Sequence, residues 1–212
     1  MYGALREAIV MTELEPGQQI SENEIADRLG VSRTPVREAL ARLRDDQLVQ
    51  IVPQFGTFVS RISVAGVDDA QFLREALECS AVRLAAEHAN AAAVAELHGL
   101  IARQEAARDA GDASAFFVLD DELHSTLCEL SGRPIAWTII ARANGHLNRV
   151  RRLSLAQPSY IAEMIKEHKA VVDAVGRAEP DAAEEALRHH LRMVLSDLPN
   201  IRNDHPEYFE DE

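Results

Sequence analysis

The sequence has few cysteines, few basic residues and no long apolar run. Its 212 residues include only two cysteines, Cys79 and Cys128, and each lies in an apolar helical pattern. We therefore expect reduced core thiols rather than a disulfide framework. No uncharged apolar segment approaches the roughly 18 residues that span a bilayer, and the first residues carry no signal-peptide pattern. These absences predict a cytoplasmic protein that does not enter the membrane.

Positive charge is scarce and unevenly distributed. The chain has 22 Lys and Arg against 35 Asp and Glu, which gives a formal net charge of -13. Residues 1–62 contain 7 Arg, no Lys and 9 acidic residues, so their net charge is only -2, and the remaining residues carry -11. Any surface that binds a polyanion must therefore be local, and the N-terminal part is the less repulsive place for it. The contrast also favours two domains.

Short helices and a β-hairpin are predicted for the N-terminal part. The sequence EPGQQ ends a first helix, the capping box Ser21-Glu-Asn-Glu opens a second, and Gly30 ends it. Two β-rich runs flank the hairpin signal PQFG. We place helices over 2–12, over 21–30 and from Ser32 or Arg33 onward, and strands over 48–52 and 57–62. This order of elements is that of a winged helix-turn-helix.

The third helix has the features of a DNA-recognition helix. Arg33 and Arg37 are four residues apart and share one face, and the N-terminal residues of such a helix enter the major groove. An arginine that bonds a guanine bidentately contributes about 1–3 kcal/mol of discrimination. Ser32 and Thr34 are placed to bond phosphates, and Gly56 allows the hairpin tip to approach the DNA backbone or minor groove. A short Arg run alone is usually a solvated face, but this combination of elements predicts DNA binding.

The segment PGQQISENEIADRLGVSRTPVREALARLRDDQLVQIVPQFGTFV resembles the DNA-binding domain of the GntR family of bacterial transcription regulators. The resemblance covers almost all of residues 4–60 and implies a dimer on a short palindrome, with DNA contacts from Arg33, Thr34, Arg37 and Gly56. Two positions depart from the family pattern. Asn23 stands where many relatives have an arginine that touches DNA, which leaves the operator sequence open. Gln47 replaces the usual glycine, so the third helix is expected to end without its preferred αL residue.

Residues after 63 change to Ala- and Leu-rich helices without a strand signal. Gly and Pro breaks divide them into a predicted six-helix antiparallel bundle over 66–89, 91–110, 113–131, 134–154, 158–178 and 181–198. The predicted fold class is mainly α, a winged helix-turn-helix followed by an all-α antiparallel helical bundle. The predicted domains are a DNA-binding domain over 1–62, a linker over 63–70, an all-helical metal- and ligand-binding effector domain over 71–200, and an acidic tail over 201–212. We expect the last part of this tail, NDHPEYFEDE, to be frayed.

Helical periodicity brings three histidines and one carboxylate to the bundle interior. His168 falls within an apolar stripe, as does Asp120; His124 lies at the edge of the same stripe as Asp120, and His190, unlike His189, lies beside the core. A lone inward histidine is more often a hydrogen-bonded core residue. A buried carboxylate is costly unless it is paired or binds a cation, and one oxygen with three imidazole nitrogens suits Zn²⁺, Ni²⁺, Mn²⁺ or Fe²⁺. Their convergence from three helices predicts a divalent metal site.

The same half resembles, more loosely, the FCD effector domain of the FadR subfamily of GntR regulators. The matching pieces are LREALECSAVRLAA, DDELHSTLCELSG and EHKAVVDAV followed by ALRHHL, within residues 66–195. The resemblance implies metal ligation by the same four residues, a small organic acid that completes the coordination, and a cavity lined by Arg74. For Arg74 a surface ion pair with Glu78 is the alternative. Leu123 stands where relatives usually have Phe, and Arg133, where they often have Asn, lies either on the surface or at the cavity mouth.

Together these patterns predict a ligand-responsive transcription regulator, a repressor in most members of such a family. A homodimer would bind a palindromic double-stranded operator, and a small carboxylate metabolite at the metal site would shift its affinity. One alternative is a metal-dependent enzyme of the hydrolase type. The periodicity places no additional inward acid or base for proton transfer, so we do not expect an enzyme. The other alternative is a regulator that senses the metal ion directly.

Overall fold

The computed structural model describes residues 1–211 and consists of a mixed N-terminal half and a helical C-terminal half. The N-terminal half contains α1 (Tyr2–Val10), β1 (Gln19–Ile20), α2 (Glu22–Leu29), α3 (Arg33–Asp45), β2 (Val49–Val52) and β3 (Gly56–Val59). The C-terminal half contains α4 (Val64–His88), α5 (Ala91–Asp109), α6 (Ala113–Leu130), α7 (Ile135–Ala143), α8 (Gly145–Ser154), α9 (Pro158–Gly176) and α10 (Pro180–Asp204), followed by a 3₁₀ turn over Pro206–Tyr208. The predicted fold class, a winged helix-turn-helix followed by an all-α bundle, is confirmed.

The winged helix-turn-helix is held together by a small apolar core under its three-stranded sheet. The strands pair antiparallel in the order β1-β3-β2, and β1 is too short to give a sequence signal. Ser21 caps α2 by accepting a hydrogen bond from the Glu24 amide at 3.3 Å, and Gly30 ends the helix with φ +63°. Val36, Leu40 and other apolar residues of α3 are buried against the wing. The buried apolar face of α3 thus holds this helix in place.

Gln47 adopts the left-handed conformation at the end of α3, so the prediction that this helix ends without an αL residue is wrong. Its φ is +60°, and the Leu48 amide donates to the Leu43 carbonyl at 2.8 Å, which closes the helix end. A residue with a Cβ is strained there.

We expect Gln47→Gly to raise the free energy of unfolding by about 0.5–1 kcal/mol, measured by urea denaturation. Gln50→Gly in β2 is the control and should destabilise; a loss of stability in Gln47→Gly would mean that the αL conformation carries no strain.

The helical half departs from the predicted six helices at two points: α10 continues to Asp204 instead of ending at 198, and one predicted helix is divided. The expected helix over 134–154 is divided into α7 and α8 at Asn144, whose backbone leaves the helical region. Gly145 starts α8, and a Cβ there would lie 2.8 Å from Cδ2 of Leu48 in the N-terminal half. The break therefore lets α8 lie directly against the winged domain. Both cysteines are buried and free, as predicted.

Among the described helices, none is both long enough and apolar enough to cross a membrane.

The segment between the two halves is shorter than predicted and is tightly held. Because Ser63 caps α4 by accepting from the Gly66 amide, residues 64–70 of the predicted linker at 63–70 are helical. The connecting segment is Ser60–Ser63. The Ser60 amide donates to the Leu48 carbonyl at 3.0 Å, its carbonyl accepts from the guanidinium of Arg149, and the Ser63 amide donates to Nδ1 of His146 at 3.0 Å. Helix α8 thus contacts both ends of this linker.

The C-terminal segment packs on the same linker as far as Glu210, so the prediction that residues 203–212 fray is wrong for this part of the segment. Ile62 donates its amide to the Tyr208 carbonyl at 2.8 Å and accepts from the Glu210 amide at 3.1 Å. Phe209 is 2% exposed and packs with Ile62 in a core that includes Val150 of α8. The burial of this aromatic side chain outweighs the acidic composition of the segment.

His146 makes stability depend on pH. Burial, followed by the charge of Arg149, lowers the pKa of His146 to about 4. Its Nδ1 accepts from the Ser63 amide and from Arg149. As pH falls from about 6.5 to 4, His146 binds a proton in the unfolded chain but remains neutral in the folded chain. Folding stability should therefore fall across this window by up to about 1.4 kcal/mol per pH unit. Denaturation at several pH values should show a shallower dependence in His146→Gln, whereas the half-buried control His205→Gln should keep the full slope; equal slopes would contradict this assignment.

Candidate metal centre and nucleic-acid interface

Four buried side chains of α6, α9 and α10 converge on one point of the helical half. They are the four residues selected by periodicity, Asp120, His124, His168 and His190, and one donor atom of each lies within 4.8 Å of all the others. Oδ1 of Asp120 lies 3.1 Å from Nε2 of His168 and 3.4 Å from Nε2 of His124, and the Nε2 atoms of His168 and His190 are 3.2 Å apart. All four side chains are at most 6% exposed.

The outer nitrogen of each histidine is held by an oxygen from a neighbouring helix. The Nδ1 contacts are His124 to Glu78, His168 to Gln104 at 2.8 Å, and His190 to Glu167 at 2.9 Å. Sequence periodicity found no additional inward acid, yet the side chains of Glu78 and Glu167 are 2% and 8% exposed. Both carboxylates are engaged with imidazoles. Such partners orient the ligands of a metal site.

These contacts fix which imidazole nitrogen carries the proton. The Gln104 amide donates Nε2–H to the Leu119 carbonyl at 3.1 Å, so its Oε1 must accept from Nδ1–H of His168. Burial opposes ionisation of Glu78, but Arg74 and His124 outweigh it and lower its pKa to about 2, so this carboxylate accepts from His124. Burial and Glu163 raise the pKa of Glu167 to about 7. When Glu167 is ionised and the imidazoles are neutral, all three Nε2 atoms present lone pairs to the centre.

Asp120 is anchored by an arginine that the sequence did not identify. Its Oδ2 accepts from Arg151, which also donates to Asp121 at 2.9 Å and to Asn148 at 2.7 Å. Burial opposes ionisation of Asp120, but the charge of Arg151 outweighs it and holds the pKa of Asp120 well below the usual range. Its other oxygen, Oδ1, is buried and makes no hydrogen bond. Asp120 thus offers one free anionic oxygen to the three histidines.

Arg74 is buried in the same region rather than paired at the surface. It is 2% exposed and donates Nε–H to Glu78, while its Nη2 has no hydrogen-bond partner. One turn earlier on α4, the buried Gln71 leaves both amide atoms without a partner. Burial is the main cause that lowers the pKa of His168 and His190, and the positive charge of Arg74 acts in the same direction. Arg133, by contrast, is exposed at the start of α7.

The N-terminus of α3 presents the predicted DNA-contacting side chains to solvent. Arg33 and Arg37 are 53% and 60% exposed, and Thr34 is exposed beside them. Ser32 precedes the helix without a side-chain cap bond, so its hydroxyl remains available. Glu22 of α2, which sequence reasoning did not select, contacts both arginines, at 3.1 Å to Arg33 and 2.8 Å to Arg37.

The backbone conformation of the wing tip is a sufficient reason for glycine at position 56, whether or not this turn contacts DNA. Gly56 has φ +126°, and a Cβ there would lie 2.7 Å from Nε2 of Gln19. That amide donates to the Phe55 carbonyl at 3.0 Å, which ties β1 to the turn. Phe55 is 72% exposed at the tip. The fold therefore requires glycine here, and any approach of this turn to DNA is an additional role.

Comparison with known proteins matches both halves of the chain. Residues 1–59 match the family described as bacterial regulatory proteins, gntR family, and residues 69–193 match the FCD domain. An HTH-type transcriptional regulator from an unstable DNA locus of Streptomyces ambofaciens is 43% identical over 209 residues, which cover 99% of this chain and 88% of that protein. The HTH-type transcriptional repressor RspR of Escherichia coli is 32% identical over 212 residues, covering 100% of this chain and 93% of RspR.

Solved structures share the same architecture. The structure named E. coli McbR/YncC has a TM-score of 0.81 at 21% identity and covers 96% of both chains. A GntR-type regulator from Rhodococcus sp. RHA1 has a TM-score of 0.77 at 24% identity, covering 94% of this chain and 95% of its own. At these identities the likeness concerns the fold, and the sequence matches carry the family assignment.

Proposed function

This chain belongs to the gntR family of bacterial regulators and carries an FCD domain, and from this premise we propose that it is a repressor controlled by a metal-bound organic acid. A homodimer would bind a palindromic operator through Ser32, Arg33, Thr34, Arg37 and Gly56. Its relatives are transcriptional regulators. It is therefore a DNA-binding transcription regulator and not an enzyme, and the hydrolase alternative is set aside.

The observation that carries the metal site is the arrangement of lone pairs around Oδ1 of Asp120. Two imidazole Nε2 atoms that both present lone pairs at 3.2 Å repel each other, and the anionic Oδ1 beside them has no hydrogen bond. A cation at the centre resolves both conflicts. Nitrogen and oxygen ligands at about 2.0–2.2 Å from one ion lie about 2.9–3.5 Å apart. The distances of 3.1, 3.2 and 3.4 Å fit this range.

We assign Asp120, His124, His168 and His190 as ligands of one divalent ion, Zn²⁺, Ni²⁺, Mn²⁺ or Fe²⁺. When bound, the ion would act as a Lewis acid that holds a carboxylate oxygen. Arg151 restricts Asp120 to a single coordinating oxygen because it occupies Oδ2. The three outer oxygens hold each imidazole with Nε2 directed inward. This chain's own residues therefore determine the number and type of ligands.

Unsatisfied buried groups of α4 support a carboxylate effector. Nη2 of Arg74 and the amide of Gln71 lack partners, and a buried donor without a partner costs roughly 1–3 kcal/mol. An organic acid bound beside the metal would satisfy the arginine with its carboxylate and the amide with a further polar group. We therefore propose that Arg74 lines the effector site and fixes the orientation of the acid.

Helix α8 gives this site a physical connection to the DNA-binding half. Asn148 and Arg151 face the Asp120 side, whereas His146 and Arg149, two residues earlier in each case, lie about 200° around the helix and contact the linker. We propose that the effector shifts operator affinity through this helix. To do so it must bind the two arrangements of the dimer unequally, since equal affinity would shift nothing.

A direct metal sensor is the second candidate, because four protein donors already complete a tetrahedral set. The deciding experiment is selection of genomic DNA fragments by the purified protein, followed by binding assays with Zn²⁺ alone and with Zn²⁺ plus a panel of small carboxylates. Enrichment of one palindrome supports the regulator, and the neighbouring genes nominate the acid. A full response to Zn²⁺ alone would favour the metal sensor. Absence of enrichment from folded, dimeric protein would contradict operator binding.

A further inference from the structure

A single carboxylate lies between the two exposed arginines of α3 that we propose to contact DNA. Glu22 is the first residue of α2, directly after the capping Ser21, and its side chain is 27% exposed. One oxygen, Oε2, accepts from Nε of Arg37 at 2.8 Å and from Nη2 of Arg33 at 3.1 Å. The pair of arginines therefore presents a net charge of about +1 instead of +2 to DNA.

The contact leaves the base-reading edge of Arg37 free. Glu22 takes the Nε edge of this guanidinium, so the Nη1 and Nη2 groups still point away as a two-donor fork, which is the geometry that matches O6 and N7 of guanine. A free arginine side chain carries about 2 kcal/mol of rotamer entropy. Anchoring it beforehand reduces the entropy that is lost when the fork meets a base.

The fold keeps Glu22 charged and in place. The carboxylate lies in the first turn of α2, where the unpaired amides of the helix N-terminus favour negative charge. The hydrogen bond from Arg37 lowers the pKa of Glu22, and the bond from Arg33 acts in the same direction. Burial opposes these two bonds but does not cancel their effect. Glu22 therefore remains ionised at the near-neutral pH of a DNA-binding assay.

We propose that Glu22 determines DNA specificity by weakening non-specific binding and orienting Arg37 for base contacts. On a random sequence the protein gains only phosphate contacts, and the Glu22 charge repels phosphates and reduces that gain. On its operator the oriented fork compensates with base contacts. Specificity is the difference between these two affinities, so the carboxylate raises it although it adds no contact to DNA. The inference rests on the proposed operator binding.

The test compares Glu22→Gln with Glu24→Gln, which removes the same charge from the same turn of α2. Glu24 is exposed and lies two residues further on, about 200° around the helix. Binding to the enriched genomic fragment and to a random duplex of equal length is measured by fluorescence anisotropy over a series of KCl concentrations. We expect Glu22→Gln to bind the random duplex three- to tenfold more tightly and to lose about tenfold in the ratio of specific to non-specific affinity. Glu24→Gln should leave the ratio unchanged.

Two further measurements separate the possible outcomes. In an Arg37→Ala background the effect of Glu22→Gln on the ratio should disappear; its persistence would overturn the role assigned to Arg37. Equal changes in Glu22→Gln and Glu24→Gln would reduce the effect to bulk charge and overturn the proposal. If the unaltered protein prefers no fragment, operator binding fails, while the random duplex still tests whether Glu22 weakens non-specific binding. Thermal melting monitored by circular dichroism establishes that each variant is folded.

Discussion

His190→Ala is expected to lower the affinity of the helical half for Zn²⁺ by more than about 100-fold, because loss of a direct ligand exceeds the 10- to 100-fold cost of losing an outer partner. Nε2 of His190 lies 3.2 Å from Nε2 of His168, and Glu167 holds the opposite nitrogen. Alanine removes the donor and leaves Glu167 without its imidazole. Competition with a fluorescent chelator measures the affinity, and the metal content of purified protein is measured in parallel.

The adjacent histidine provides the matched control for this substitution. The His189 side chain is 69% exposed and lies 3.7 Å from the outer oxygen of Glu167. His189→Ala should therefore retain metal affinity within about threefold, as a surface substitution does. Loss of metal in His189→Ala with retention in His190→Ala would contradict the assigned ligand. Retention in both variants would place the metal elsewhere or exclude it.

Replacing both arginines of the recognition helix should produce the largest loss of DNA affinity. Each of Arg33→Ala and Arg37→Ala should cost about 1–3 kcal/mol of operator binding. The two side chains share Glu22, so the double variant should lose more operator affinity than either single variant, and its loss should differ from the sum of the two single losses. Electrophoretic mobility shifts on the enriched fragment and on fragments with single base changes measure both affinity and discrimination.

Arg44→Ala is the control for the loss of one positive charge. Arg44 lies at the opposite end of α3, is 53% exposed and pairs with Asp45 at 2.8 Å. Arg44→Ala should lower the affinity for all DNA sequences slightly and equally, because Arg44 acts only through long-range charge. If Arg44→Ala matches Arg37→Ala on the operator, and neither variant relaxes base preference, α3 attracts DNA without reading it.

Most of the fold was predictable because local signals and core periodicity agree. The capping box at Ser21, the αL glycine at position 30 and the apolar stripes of the long helices each follow from residues close in sequence. The division between α7 and α8 was not predictable, since an isolated glycine in a helical pattern is usually tolerated. Gly145 lies against Leu48, which is distant in sequence, and this contact is not visible from the local pattern.

The four converging side chains were predictable for the same reason, but their partners were not. Asp120 and His168 stand within apolar stripes, so helix phase alone turns them inward. Glu78, Gln104 and Arg151 are polar residues of kinds that are mostly exposed, and only contacts between helices reveal their burial. Glu22 was missed because its partners lie on the next helix. Composition likewise misjudged the C-terminal segment, where Phe209 determines the packing.

The parallel bridge between Ile62 and Phe209 also constrains the order of folding. It joins the linker to a segment beyond α10, so the loop that it closes contains the entire helical bundle. Closing so long a loop early would cost entropy before any packing repaid it. We therefore expect this bridge to form only after the bundle has packed, so that the linker to the winged domain takes its final position late in folding.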